Sequence, residues 1–108
     1  MANSYKNAKV DLTTADATTV LTTSAGSTNV IKSIIVSEDS GNADTIDLTI
    51  TDSASAVFSL FKVKAVGANT TVELLTAPLV LQDSEILKAE AATANRLHIV
   101  VSYLDQTR

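Results

Sequence analysis

The stretch Thr45-Ile46-Asp47-Leu48-Thr49-Ile50-Thr51 alternates strictly between polar and apolar side chains. A β-strand sends successive side chains to opposite faces. A period of two therefore puts Ile46, Leu48 and Ile50 on one side and Asp47, Thr49 and Thr51 on the other. On a helix the same three apolar residues would be smeared around the cylinder with no stripe to bury. The segment reads as a half-buried strand with one dry and one wet face.

Further runs of this kind follow along the chain. Asn7 to Thr13 alternates around Val10 and Leu12. Thr18 to Thr23 is short and threonine-rich around Val20 and Leu21. Val30 to Glu38 is more apolar, with Ile31, Ile34, Ile35 and Val36, and is expected to be covered on both faces. Val57 to Ala65 sets Val57, Phe61 and Val63 against Phe58, Leu60, Lys62 and Lys64. Thr70 to Leu75, Leu79 to Gln82 and Ile86 to Ala91 are brief. Arg96 to Leu104 sets Leu97, Ile99, Val101 and Tyr103 against Arg96, His98, Val100, Ser102 and Leu104. Residues Ala89 to Ala94 also carry helix propensity, so a short helix there is an alternative.

Small and Asx residues separate the runs: 24–29, 38–44, 52–55, 67–69, 82–85 and 93–95. Such residues accept turn dihedrals or bond their own backbone. Pro78 lies between two runs, where it withholds a ladder hydrogen bond. About eight short strands without intervening helices predict an all-β fold, an antiparallel, jelly-roll-like β-sandwich. With 108 residues the chain forms one domain, 1–108, and residues 1–6 read as an extended N-terminal arm.

Hydrophobic residues make up 45% of the chain and aromatic residues only 4%, so the interior must be aliphatic. The net charge of −4 and the scattered lysines argue against nucleic acid and anionic membrane as partners. The polar start, Met1 to Val10, does not resemble a secretory signal, and no apolar run is long enough to span a membrane as a helix. Without cysteine there is no disulfide, thiolate ligand or thiol nucleophile.

Catalytic equipment is sparse. The single histidine, His98, lies on the strand face opposite Leu97, Ile99 and Val101 and reads as a surface or interface residue. Triad chemistry and transition-metal binding both need more partners than this. Glu38, Asp39, Asn42 and Asp44 gather in one loop around Gly41, but their spacing is not that of an EF-hand. The loop reads as a turn whose carboxylates cap backbone amides, with a non-EF calcium site as the alternative. Two Phe, two Tyr and no Trp leave little to line a sugar groove, which weighs against a glycosidase and a carbohydrate- or receptor-binding module. No catalytic, cofactor or metal residues are assigned.

Some strands are apolar on both faces, although a single sandwich has only one core. A loop of the same chain or a neighbouring subunit is expected to cover the surplus. The candidate subunit-contact residues are Tyr5, Lys6, Phe58, Leu60, Val100 and Leu104.

Three segments carry a family resemblance. They are Ile34-Ile35-Val36-Ser37-Glu38-Asp39-Ser40-Gly41-Asn42-Ala43-Asp44, the run Leu74 to Gln82 followed by Ser84 to Ala89, and Leu97-His98-Ile99-Val100-Val101-Ser102-Tyr103-Leu104. With these, roughly residues 5–104 resemble small virion structural proteins of tailed bacteriophages, notably those of marine bacteria. The resemblance implies a β-sandwich used on a capsid exterior or in a tail, and no enzymatic residues. It implies a capsid decoration or cement protein in the virion, made in the host cytoplasm. Its expected partners are the major capsid protein and copies of itself, as a trimer or other small oligomer. A tail, baseplate or fibre-attachment subunit is the alternative, and a carbohydrate- or receptor-binding β module is a further one.

The alternating strand gives a direct test of register. Leu48→Ala should lower stability by about 2–5 kcal/mol. Thr49→Ala, on the wet face, should change it by no more than about 0.5 kcal/mol. Equal shifts in a urea melt would show the faces to be misassigned.

Overall fold

Nine strands make up the computed structural model, which describes residues 2–107. They are β1 (Ala2–Leu12), β2 (Thr18–Thr22), β3 (Ser27–Glu38), β4 (Asp44–Thr51), β5 (Val57–Val66), β6 (Thr71–Glu73), β7 (Leu79–Leu81), β8 (Ile86–Ala91) and β9 (Leu97–Thr107). All strand pairings are antiparallel. One sheet has the order β1-β9-β3-β6, with β7 also paired to β3, and the other has the order β2-β8-β4-β5.

Strands β6 and β7 are two halves of one interrupted strand. Both lie along the same side of β3, β6 against Ile35–Ser37 and β7 against Asn29–Ile31. Residues 74–78 bow out between them, and Pro78 ends the bow. Counted this way there are eight strands in two sheets of four, and their order is that of a jelly roll.

The core is aliphatic. Leu12, Ile34, Val36, Leu97, Ile99 and Val101 from the first sheet meet Ile46, Leu48, Leu87, Ala89 and Ala91 from the second, all essentially inaccessible to solvent. The alternation at 45–51 falls on β4 as expected, with Ile46 and Leu48 buried. Residues Ala89–Ala91 complete β8 and lead into a turn, with no helix. The left-handed backbone angles of Asn69 and Asn95 fall in turns marked by small and Asx residues.

Four expectations need correction. Residues 2–6 are not a free arm: Ala2 to Lys6 pair with Thr107 to Tyr103 and extend β1. The early lysines mask this, because a strand at the rim of a sheet need not alternate. β3 is not covered on both faces: Ile34 and Val36 are buried, while Ile35 is 37% exposed. Val57 and Val63 do not join Phe61 inside, since both are more than half exposed. Conversely Leu60, read as an outward contact residue, is partly buried against the core together with Phe61.

The last two corrections share one cause. Ile46 pairs with Lys64 and Leu48 with Phe61, so Lys62 and Val63 both face Asp47. Thr49 then pairs with Ser59, which leaves Leu60 as another extra residue. Each insertion is a bulge that reverses the parity of everything beyond it. Val63 takes a left-handed φ of 53°, unfavourable for a β-branched side chain. The Val63 amide donates to Asp47 Oδ1 at 2.7 Å, which holds the bulge in place.

Val63 is 61% exposed, so its side chain contributes little packing. Val63→Asn should keep the bulge, relieve the left-handed strain and raise stability by about 1 kcal/mol. A denaturation midpoint that falls instead would contradict this account of β5.

Candidate functional site

Antiparallel strands place directly opposite residues side by side on one face. Across the first sheet this aligns Tyr5 with Leu104, Leu104 with Val30, and Val30 with Val80. The result is an apolar row crossing β1, β9, β3 and β7, about 14 Å long at the usual strand spacing. A second row aligns Lys9 with Val100 and Val100 with Ile35. Asn7, Ser102 and Ser33 form a polar row between the two.

These rows lie on the side of the sheet away from the core, because their strand neighbours Val101, Ile34 and Ile31 are the buried ones. Tyr5 is 79% and Val80 48% exposed. Leu104, Val30 and Val100 are half-buried by their neighbours. The outer face of the second sheet differs in character. It carries Thr45, Asp47, Thr49 and Thr51 on β4 beside Lys88 and Glu90 on β8, and the sheet's exposed apolar side chains, Val57, Phe58 and Val63, all lie on the edge strand β5.

Of the six candidate contact residues, the fold brings Tyr5, Val100 and Leu104 onto this one face. Phe58 is 56% exposed but sits on β5 of the other sheet. Leu60 turns toward the core. Lys6 points to the opposite face from Tyr5, and its Nζ lies 3.0 Å from Asp105 Oδ2, an interaction that raises its pKa. Val30, Ile35 and Val80 belong to the face as well. They escape a reading strand by strand because their significance appears only once the register is known.

His98 lies beyond the second row, between Asp11 and Ser37. Its Nε2 is 3.3 Å from Asp11 Oδ1 and its Nδ1 is 3.8 Å from Asp39 Oδ1. It is thus a surface histidine flanked by two carboxylates on the same outer face.

The acidic loop after β3 is built around Glu38. This buried carboxylate accepts hydrogen bonds from the amides of Ser40 at 2.8 Å, Gly41 at 3.1 Å and Asn69 at 3.0 Å, and from the Ser40 hydroxyl. Gly41 supplies the left-handed turn the loop needs, with φ of 85°. The Ser40 hydroxyl and the three amides hold the Glu38 pKa at about 2 against the opposing effect of burial. Asp44 in turn accepts from the Thr93 amide at 3.0 Å. Both carboxylates therefore bond backbone, the capping role expected of this loop. Among the described residues, no three His, Cys, Asp or Glu side chains converge as metal ligands would.

A comparable clamp was not apparent from sequence. Glu73 of β6 accepts the Ile34 amide at 2.8 Å, the Leu75 amide at 3.2 Å and the Ser33 hydroxyl. It sits where the β3–β9 register shifts between Ile31 and Ser33. Burial pushes the Glu73 carboxyl up, but these hydrogen bonds outweigh it and leave the pKa below the ordinary value.

No protein-family model matches the chain, and no curated protein is similar to it.

The Glu38 clamp implies a pH dependence. A carboxyl with a lowered folded-state pKa stabilises the fold above its ordinary value of 4.5, and this stabilisation is lost as the pH falls from there toward about 2. Glu38→Gln should lower the melting temperature at neutral pH. The gap to the parent should close in melts taken at progressively more acidic pH. A gap that stays constant across this range would show that the charge on Glu38 does not hold the loop.

Proposed function

We propose that this chain is a virion structural protein of a tailed bacteriophage, a capsid decoration or cement protein without catalytic activity. In this reading it binds the major capsid protein through the outer face of its first sheet. The observation that carries the proposal is the asymmetry of the two outer faces. The first sheet presents the aligned apolar rows of Tyr5, Leu104, Val30 and Val80 and of Val100 and Ile35 across its strands, whereas the second presents threonines and charges on β4 and β8 and confines its exposed apolar side chains, Val57, Phe58 and Val63, to the edge strand β5.

Burying such a face against a shell subunit removes apolar surface from water, and a lattice of many copies turns a modest contact into firm attachment. The jelly-roll strand order supports the reading by analogy, since this architecture recurs in viral shells. The sequence resemblance to phage virion proteins points the same way. The carboxylates of Glu38, Asp44 and Glu73 are engaged by backbone amides, which suits a rigid scaffold better than a reactive site.

The test is the position and copy number of the protein in purified particles, read by electron microscopy. A copy number matching the head lattice supports a decoration role. A small ring at the tail, or absence from particles, overturns it. Val100→Glu with Leu104→Glu should weaken binding to heads lacking the protein by more than about tenfold, because it charges the centre of the contact. Thr49→Glu on the other sheet should leave binding unchanged.

A further inference from the structure

Each sheet has two edges, and three of the four are protected. The β5 edge is broken by two bulges and by the left-handed Val63. The β2 edge has five residues and a register shift. The β6 and β7 edge consists of two three-residue pieces split by the bow at Pro78. Short length, bulges and proline are the usual means by which an edge avoids pairing with another chain.

Strand β1 has none of them. Its eleven residues contain neither Gly nor Pro and pair with β9 in one unbroken register from Ala2 to Leu12. Among the described residues it pairs as a strand with β9 alone, so the backbone groups on its other side face outward. Lysine is a further common edge guard, but Lys6 is drawn back to Asp105 on β9, and Lys9 stands on the outer face of the sheet opposite Val100.

We propose that β1 pairs antiparallel with β1 of a second copy across a two-fold axis at Asn7, joining the two first sheets into one. Centring on Asn7 alone pairs the full length of the strand, Ala2 to Leu12, with its counterpart. With Asn7 opposite itself, Tyr5 of each copy faces Lys9 of the other, Lys6 faces Ala8, and Asn3 faces Asp11. No like charges meet, and the lysine lies beside an aromatic ring on the outer face. Centring on Lys6 or Lys9 would instead oppose two ammonium groups.

The same register has a consequence for the outer face. The row Val80-Val30-Leu104-Tyr5 of one copy continues into the row Lys9-Val100-Ile35 of the other, and the converse. Two separate apolar rows thereby become two stripes that run through both subunits. A two-fold contact of this kind is isologous and closes at the dimer. The pairing depends on the strand alone and holds wherever the protein acts.

The chain has no cysteine, which permits a direct test. Under mild oxidation Asn7→Cys should yield a disulfide-linked dimer, because directly opposed residues lie within disulfide reach. Asn3→Cys should stay monomeric on denaturing gels, because its two copies would lie roughly 26 Å apart along the strand. Val57→Cys on the β5 edge should stay monomeric too. In sedimentation equilibrium the parent should dimerise, and Tyr5→Lys, which leaves an exposed position exposed, should weaken the dimer by about tenfold while retaining the parent circular dichroism. A parent that remains monomeric at all concentrations, or equal cross-linking by all three cysteine variants, overturns the proposal.

Discussion

Strand β9 lies between β1 and β3 and forms ladders along both sides. Its residues Leu97, Ile99 and Val101 stand in rows with Leu12, Val10 and Ala8 on one flank and with Glu38, Val36 and Ile34 on the other. This double register fixes both faces of the first sheet at once. Inward it places Leu97, Ile99 and Val101 in the core. Outward it lines up Leu104 between Tyr5 and Val30, and Val100 between Lys9 and Ile35. A slip of one residue in β9 would exchange the two sets, burying His98 and exposing Ile99. The apolar outer face is thus inseparable from the pairing that builds the core.

Much of the fold is legible in the sequence where side-chain alternation alone decides. The segment at 45–51 reads correctly because β4 is flanked by strands on both sides and loses one face to the core. Turns at Asn69 and Asn95 are legible because asparagine tolerates the left-handed backbone found there. β5 misleads because alternation is a local signal, whereas a bulge is set by the partner strand and by the Asp47 carboxylate that takes the Val63 amide. Leu60 and Phe61 can therefore both turn inward although they are neighbours in sequence. The contact candidates divide for the same reason. Tyr5, Val100 and Leu104 share a face because the β1–β9 register is regular, while no pattern within β5 or β9 alone reveals that Phe58 belongs to the other sheet.

The acidic residues illustrate a second difficulty. Glu38, Asp44, Asp47 and Glu73 all accept backbone amide hydrogen bonds. In each case the carboxylate serves the chain where the regular ladder ends or is interrupted. A jelly roll with only three glycines needs such devices, because side-chain oxygens take up donors that a smooth strand would otherwise satisfy. Clustered acids after β3 look like cation ligands in sequence, but their geometry is that of loop anchors.

The central place of β9 bears on how the protein comes into being. During synthesis β1 and β3 emerge well before residues 97–107 exist, and neither is the other's neighbour in the finished sheet. Until β9 arrives, the two strands on which it will dock are left waiting, and the half-built sandwich offers them to any extended segment nearby. Contacts so distant along the chain form slowly, since the loop they close is long. The chain therefore keeps these two strands open to wrong pairing until this strand threads into place.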